Sequence, residues 1–278
     1  MDRVGRIVKQ ISNDYWVLID DETIVCKARG KFRKLNITPL VGDMVTINYD
    51  NQYIIDVKER KNELIRPRIS NVDMALVVTS VQIPAFSTNL LDKLLTIIEY
   101  NNIKPTICIT KYDLIDEQKK QELIPYFDYY KSIGYQLYFN TDENLKEVFK
   151  NKITVFAGQS GAGKSALLNS LDSTLNIKTG EVSKALGRGK HTTRHTELIS
   201  TCDGLIADTP GFSSVSFEDM SESDIRDNFI EFNEHRDLCQ YKTCMHAEEP
   251  GCEIKRMVES GTILQSRYDN YLKFIGKR

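Results

Sequence analysis

Gly158-Gln159-Ser160-Gly161-Ala162-Gly163-Lys164-Ser165 is the stretch whose reading decides the rest of the chain. It has the spacing GxxxxGKS, follows the apolar run ITVFA at 153–157 and precedes Ala166-Leu167-Leu168. A buried strand, a glycine loop and a helix opening near Lys164 form the context that a phosphate-binding loop requires. Glycines let the backbone curl until successive N–H groups face one phosphate, and the helix adds the positive end of its dipole. In that arrangement Gly158, Gln159, Ser160, Gly161, Ala162 and Gly163 form the cradle. Lys164 reaches the β- and γ-phosphates, and Ser165 puts its hydroxyl on a magnesium ion.

Working outward, the 278 residues suggest two or three domains, and 41% hydrophobic with 27% charged is ordinary globular composition. The net charge of -2 gives no global pull toward nucleic acid, so any basic surface must be local. The first twenty residues lack an apolar core of signal-peptide length, and no apolar run reaches membrane-spanning length. A cytoplasmic protein without membrane contact is expected. Six cysteines then point to reduced thiols or metal: Cys26, Cys108 and Cys202 are scattered, while Cys239, Cys244 and Cys252 cluster.

In chain order, short β-type runs at 4–8, 15–18, 23–28, 44–49 and 53–57 predict a small barrel of the OB type. Within it lies Lys27-Ala28-Arg29-Gly30-Lys31-Phe32-Arg33-Lys34, with five basic residues and no acid. Its charges would contact RNA phosphates, with Phe32 available for base stacking; the alternative is a solvated loop. Pro67 marks a boundary, after which strands alternate with helices: apolar runs at 72–78 and 105–109 flank a helical pattern at 90–98. That βαβ unit ends in Thr110-Lys111-Tyr112-Asp113, at a strand's carboxyl end, where open α/β sheets bind ligands. The Asp113 carboxylate there can accept from guanine N1–H and the 2-amino group, while the Lys111 stem covers the base. A helix at 117–133, interrupted or kinked at Pro125, leads to a strand at 135–139. After the phosphate loop, the polar, glycine-containing segment 179–196 reads as a mobile loop that ligand orders. A hairpin through Cys202-Asp203-Gly204 then delivers Asp208-Thr209-Pro210-Gly211. Asp208 is positioned to hold magnesium through water, and the Gly211 N–H to sense a γ-phosphate.

These motifs resemble the G1, G3 and G4 elements of GTPases, met in the permuted order G4, G1, G3. With a barrel before them and a Cys/His cluster after, the chain resembles the ribosome small-subunit-dependent GTPase A family over essentially its whole length. The resemblance implies an N-terminal OB-like barrel, a circularly permuted GTPase domain on an open α/β sheet and a C-terminal helical zinc-binding domain. It implies GTP hydrolysis, binding to the 30S subunit and its 16S rRNA, and a role late in 30S assembly. Phe212 stands where Ras-like GTPases carry the glutamine that orients water. The resemblance assigns that work to His191 in Gly189-Lys190-His191-Thr192-Thr193, and a magnesium contact to Thr193, which spacing does not separate from Thr192. Contact with RNA phosphate is the alternative for His191, and His195 reads as a strand residue with no catalytic role. There are two departures. Thr110 replaces the usual asparagine and can make only part of its bond to the phosphate loop. Asn140-Thr141 stands where the G5 region would carry a Ser-Ala pair.

Cys239, Cys244, His246 and Cys252 fall within fourteen residues, at spacings that let a short loop fold round one tetrahedral ion. They read as a single structural zinc site, because four protein ligands leave no position for water; the resembled family carries the same cluster. Helical runs at 222–232 and 254–260 flank it. The domains are thus predicted as 1–67, 68–217 and 218–278, in a monomer that cycles between GTP and GDP to control residence on the 30S subunit. Competing readings are an RNA-binding adaptor with nucleotide as a structural ligand, and a small-molecule kinase, which Asp113 and the Asp208 motif disfavour.

Overall fold

Apolar and polar residues alternate through the first 57 positions, and a computed structural model, which describes residues 1–30, 32, 35–65, 68–175, 197–208 (Asp208 by its backbone) and 216–277, turns that alternation into five strands. They are β1 (Asp2–Ile11), β2 (Asp14–Ile19), β3 (Glu22–Ala28), β4 (Met44–Asn48) and β5 (Tyr53–Val57). Their order, β1-β2-β3-β5-β4 with β4 returning to β1, closes a barrel of the predicted OB-like type. Only β3 and β5 pair in parallel, through Lys27↔Tyr53 and Ala28↔Ile54. Because side chains alternate across a strand, Ile7, Val17, Ile24, Val45, Ile47 and Ile54 all point inward and are buried.

A two-stranded antiparallel ribbon, β6 (Glu63–Ile65) and β7 (Arg68–Ser70), follows the barrel where the sequence suggested only a boundary at Pro67; Arg66 and Pro67 lie outside the described residues. Buried Asp43 fastens it to the barrel. Its carboxylate accepts from Arg60 Nε and Nη2, both at 2.7 Å, and from the Ser70 hydroxyl at 2.6 Å.

The chain divides into two compact units. One comprises Met1–Ala75, Thr141–Phe156 and the described part of Lys164–Phe212; the other comprises Leu76–Asn140, Ala157–Gly163 and the described part of Ser213–Arg278. Beyond the barrel, the first unit contains β11 (Ile153–Ala157), β12 (Glu197–Thr201), β13 (Gly204–Asp208) and helix α3 (Lys164–Leu171). β11 pairs parallel to β13, and β12 and β13 form the predicted hairpin. Its turn residues Cys202 and Asp203 both take left-handed φ, 50° and 54°, as a tight hairpin demands.

The second unit contains β8 (Met74–Ser80) from Leu76 onward, β9 (Lys104–Thr110) and β10 (Gln136–Phe139) in the order β10-β9-β8, with helices α1 (Thr88–Tyr100) and α2 (Glu117–Ser132). β8 is almost wholly buried, which explains its near-continuous apolar run. α2 is one helix across Pro125, so of the two outcomes expected there, interruption does not occur: Leu123 and Phe127 on either side are buried, and that packing offsets the missing N–H donor. The C-terminal part holds α4 (Glu222–Asp227), α5 (Ile230–His235), α6 (Glu253–Glu259) and α7 (Gln265–Phe274). The single run expected at 222–232 is therefore two short helices. α7 was not foreseen, because its buried face includes Arg267 and Asn270 beside Tyr268 and Tyr271. Among the described residues, no helix is long and apolar enough to cross a membrane.

Candidate nucleotide site and metal centre

β11 runs into the glycine loop, and α3 begins at Lys164, the strand, loop and helix order the motif requires. Gly158 has φ 128°, and a Cβ there would lie 2.1 Å from the Val78 carbonyl oxygen, so no other residue fits. Gly161 and Gly163 also have positive φ, 80° and 96°. Gln159 and Ser160 are exposed at the loop tip, and Ser165 is buried. Burial lowers the Lys164 pKa, a cost that a nearby anion would offset.

Thr110 is the last residue of β9, and the turn after it reaches the glycine loop twice. The Thr110 hydroxyl lies 2.6 Å from the Ala162 carbonyl oxygen and 3.3 Å from that of Thr79. The residue expected to supply only part of the tie thus makes a short, buried hydrogen bond to the loop. Lys111 takes left-handed φ, 61°, and its ammonium donates to Gly161 O at 3.0 Å and to Ile83 O. Its aliphatic stem therefore spans the turn. Asp113 lies in the short 3-10 turn Tyr112–Leu114, with its carboxylate exposed to solvent. The Tyr112 ring packs on Phe139 at 4.5 Å between centroids, and Asn140 N donates to Ile109 O at 2.9 Å, so the 140–141 pair begins where β10 ends.

Asp208 ends β13, its backbone opposite Glu197. The side chain of Asp208, together with His191, Thr192, Thr193, His195, Gly211 and Phe212, lies outside the described residues, as do Lys31, Arg33 and Lys34 of the basic stretch. Lys27 and Arg29 of that stretch are exposed. Phe32 is not available for stacking: only 3% of it is exposed. The turn around it, with Phe32 N donating to Arg29 O and Ile37 N to Phe32 O, leaves an apolar ring that gains more from burial than from solvent.

The predicted metal ligands converge. Cys239, Cys244, His246 and Cys252 bring their donor atoms within 4.8 Å of one another. His246 Nδ1 lies 3.5 Å from Cys239 Sγ and 3.4 Å from Cys252 Sγ. Tetrahedral coordination with ordinary Zn–S and Zn–N bond lengths puts such atoms about 3.5 Å apart, so the cluster fits a tetrahedral ion that takes soft ligands. Its supports were not evident in the sequence. Glu249 accepts from Met245 N at 2.7 Å and Ala247 N at 2.9 Å, and Tyr268 OH donates to His246 O at 2.7 Å. Burial lowers the His246 pKa to about 4, leaving the imidazole neutral and able to ligate. Burial also raises the Cys244 and Cys252 thiols, so these give up protons when a cation binds.

A second buried cluster was equally unforeseen. The Arg267 guanidinium on α7 donates to both Glu231 oxygens, at 2.8 and 3.1 Å, and to Asp92 Oδ1 on α1 at 2.8 Å. Tyr130 OH and Asn270 Nδ2 each reach Asp92 at 2.6 Å, and Tyr129 OH reaches Glu231 at 3.1 Å. Nothing in the sequence separates these charges from ordinary surface ones.

Residues 57–218 match the family described as RsgA GTPase, and 4–54 match the RsgA N-terminal domain. The small ribosomal subunit biogenesis GTPase RsgA of Enterococcus faecalis is 48% identical over 98% of this chain and 94% of its own. Its namesake in Bacillus subtilis is 47% identical over 98% and 96%. Among solved structures, YloQ, described as a circularly permuted GTPase, superposes with TM-score 0.85 at 42% identity, over 99% of this chain and 94% of that one. YjeQ from Thermotoga maritima gives 0.86 at 34% identity, over the full length of both. The barrel, the phosphate loop tied to the Thr110 turn, and this likeness along the whole chain agree: the chain belongs to the RsgA GTPase family.

Proposed function

We propose that the chain is a GTP hydrolase of small ribosomal subunit biogenesis that binds the 30S particle, contacts its 16S rRNA and uses hydrolysis to time its release. The carrying observation is the double tether of the Thr110-Lys111 turn to Ala162 and Gly161, which joins a guanine-reading turn to a phosphate loop. In this reading Asp113 reads the base, the 158–163 loop and Lys164 hold the phosphates, and the Gly211 N–H senses the γ-phosphate. Ser165, Thr193 and Asp208 would hold magnesium, directly or through water, which spreads the negative charge of the phosphates. His191 orients the attacking water, since Phe212 cannot. Cys239, Cys244, His246 and Cys252 hold one structural zinc, and the barrel meets RNA through its exposed basic residues.

The division of labour follows 1–67 for the barrel, 68–217 for the GTPase and 218–278 for the zinc segment, in a cytoplasmic monomer. GTP turnover should be slow alone and faster with 30S subunits, with 50S subunits as control. His191→Ala should bind GTP and 30S yet lose on the order of 10²-fold of the stimulated rate, the usual scale for a group that handles the reacting proton or water. Equal turnover with either subunit, or with none, would remove the 30S assignment. An undiminished rate in the variant would remove His191.

A further inference from the structure

We infer that Lys9 and Glu197 are a positioning pair for the magnesium end of the site: through them the barrel holds the strand end that carries Asp208. The inference rests on the nucleotide-site reading for the role of Asp208 and adds a connection that reading does not contain. The connection is one rung across three strands. Glu197, the first residue of β12, stands opposite Lys9 of β1 on one side and opposite Asp208 of β13 on the other. Its carboxylate accepts the Lys9 ammonium on both oxygens, at 3.0 and 2.9 Å.

The barrel reaches this far because β1 changes partner along its length. One edge pairs with β2 from Arg6 to Ile11; the other pairs with β4 from Asp2 to Arg6 and closes the barrel. Between Ile7 and Lys9 the chain advances two residues while β2 advances one, from Val17 to Trp16. Such a bulge bends its strand and re-aims the side chain beyond it. Past the bulge β1 has left β4, and Lys9 meets β12. One strand thus belongs to the barrel in its first half and to the hairpin's sheet in its second.

The two ends of β12 are held differently. At one end the Thr201 hydroxyl donates at 2.8 Å to Asp172, just past α3, and Asp172 also accepts from the Thr174 N–H and hydroxyl. At the other end, among the described residues, the side-chain tie that leaves the hairpin is the one to Lys9 of the barrel. β12 and β13 stay in register from Thr201↔Gly204 to Glu197↔Asp208, so a shift of Glu197 carries the end of β13 with it. The two side chains are 30% and 36% exposed, so their ion pair adds little to stability and its removal leaves the fold in place. Glu197 faces Asp208 and no residue of the glycine loop or the Asp113 turn in the ladder, so its loss should cost magnesium and not nucleotide.

The test uses the full-length protein, Glu197→Gln, Glu197→Lys, and the swapped pair Lys9→Glu with Glu197→Lys. GTP turnover at saturating 30S subunits is titrated with magnesium, GDP binding is measured without magnesium, and thermal unfolding is run in parallel. A side chain between two coupled sites changes their coupling by about two- to thirtyfold. Within that range, Glu197→Gln should raise the magnesium concentration for half-maximal turnover by about three- to tenfold, and excess magnesium should restore the rate. Magnesium-free GDP affinity should stay within about twofold of wild type, and the swapped pair should recover the magnesium midpoint that Glu197→Lys loses. Amide hydrogen exchange at 205–208 in nucleotide-free protein should quicken in Glu197→Gln, since a strand end that loses a fastening opens more often. A wild-type magnesium midpoint in Glu197→Gln would overturn the inference, as would an equal loss of magnesium-free GDP affinity, no recovery in the swapped pair, or unchanged exchange at 205–208. Should Glu197→Lys not fold, Glu197→Gln and the amide exchange still decide. Failure of the wild-type chain to hydrolyse GTP would instead defeat the nucleotide-site reading, while the exchange data still show whether Lys9 and Glu197 hold the end of β13.

Discussion

Arg267→Met removes the one cation from a buried cluster that contains two carboxylates. Arg267, Asp92 and Glu231 are 1%, 0% and 3% exposed, so water cannot replace the lost partner. The guanidinium gives three hydrogen bonds to the carboxylates and lies 4.1 Å from the centre of the Phe229 ring. After substitution Asp92 keeps Tyr130 and Asn270, and Glu231 keeps Tyr129, all of them neutral donors. Breaking a buried pair by removing one partner costs about 3–5 kcal/mol. At about 2–4 °C per kcal/mol for a domain of this size, the midpoint should fall by roughly 10 °C. Burial already pushes the Asp92 pKa up, and Arg267 is what chiefly opposes it. Without Arg267 the folded state holds a proton more tightly than the unfolded chain does, so the variant's deficit should deepen as pH rises. Thermal and urea unfolding at pH 5 and pH 8 measure this, and adding Glu231→Gln to the variant should recover part of the loss. A variant within about 0.5 kcal/mol of wild type, the range of an ordinary surface substitution, would refute the reasoning. So would a deficit independent of pH.

Asp113→Asn should weaken GTP by about 10- to 100-fold, the worth of hydrogen bonds to a charged acceptor, and move preference toward xanthosine triphosphate; competition binding checks it, and an unchanged preference removes Asp113 from the base site. Purified protein should contain one zinc per chain by elemental analysis, and Cys244→Ser should lose it and loosen the segment after about residue 218, because ligands and fold are formed together. Metal-free, reduced and fully folded protein would contradict that. Burial raises the Glu99 carboxyl to about 7 from 4.5, with Arg267 opposing. The folded state therefore keeps a proton that the unfolded chain releases between those values, and stability falls as pH rises through the window. Glu99→Gln should remove about 2 kcal/mol of that pH dependence; parallel stability curves for the two proteins from pH 5 to 8 would exclude it.

What was legible in the sequence was what local chemistry controls. The barrel strands announce themselves because alternation has period two and only one face can be buried, as Val45 and Ile47 show. The phosphate loop is legible because Gly158 has no substitute against the Val78 carbonyl. Features that depend on a distant partner were not legible. Phe32 reads as a stacking platform until the turn that buries it is known. α7 hides because its inner face carries Arg267 and Asn270, whose partners Asp92 and Glu231 lie 175 and 36 residues from Arg267. Pro125 is a helix breaker by propensity, and packing on either side of it decides otherwise.

The same distinction explains how a permuted motif order builds one site. The contacts that define the site join the ends of strands and the loops beyond them, not neighbours in sequence. Val81 N, just past β8, bonds to Thr110 O at the end of β9. Thr110 Oγ1 reaches Ala162 across 52 residues, and Lys111 reaches Gly161 across 50 and Ile83 across 28. None of these bonds requires the Thr110–Asp113 turn to follow the glycine loop along the chain; they require only that β8, β9 and the glycine loop end at the same place. Judged as a motif letter, Thr110 is a loss relative to asparagine, because it has one donor and a shorter reach. Judged by distance it is sufficient, because the Ala162 carbonyl comes to within 2.6 Å of it. The residue type a motif allows is thus set by the separation of the backbones it must bridge, and that separation is a property of the fold.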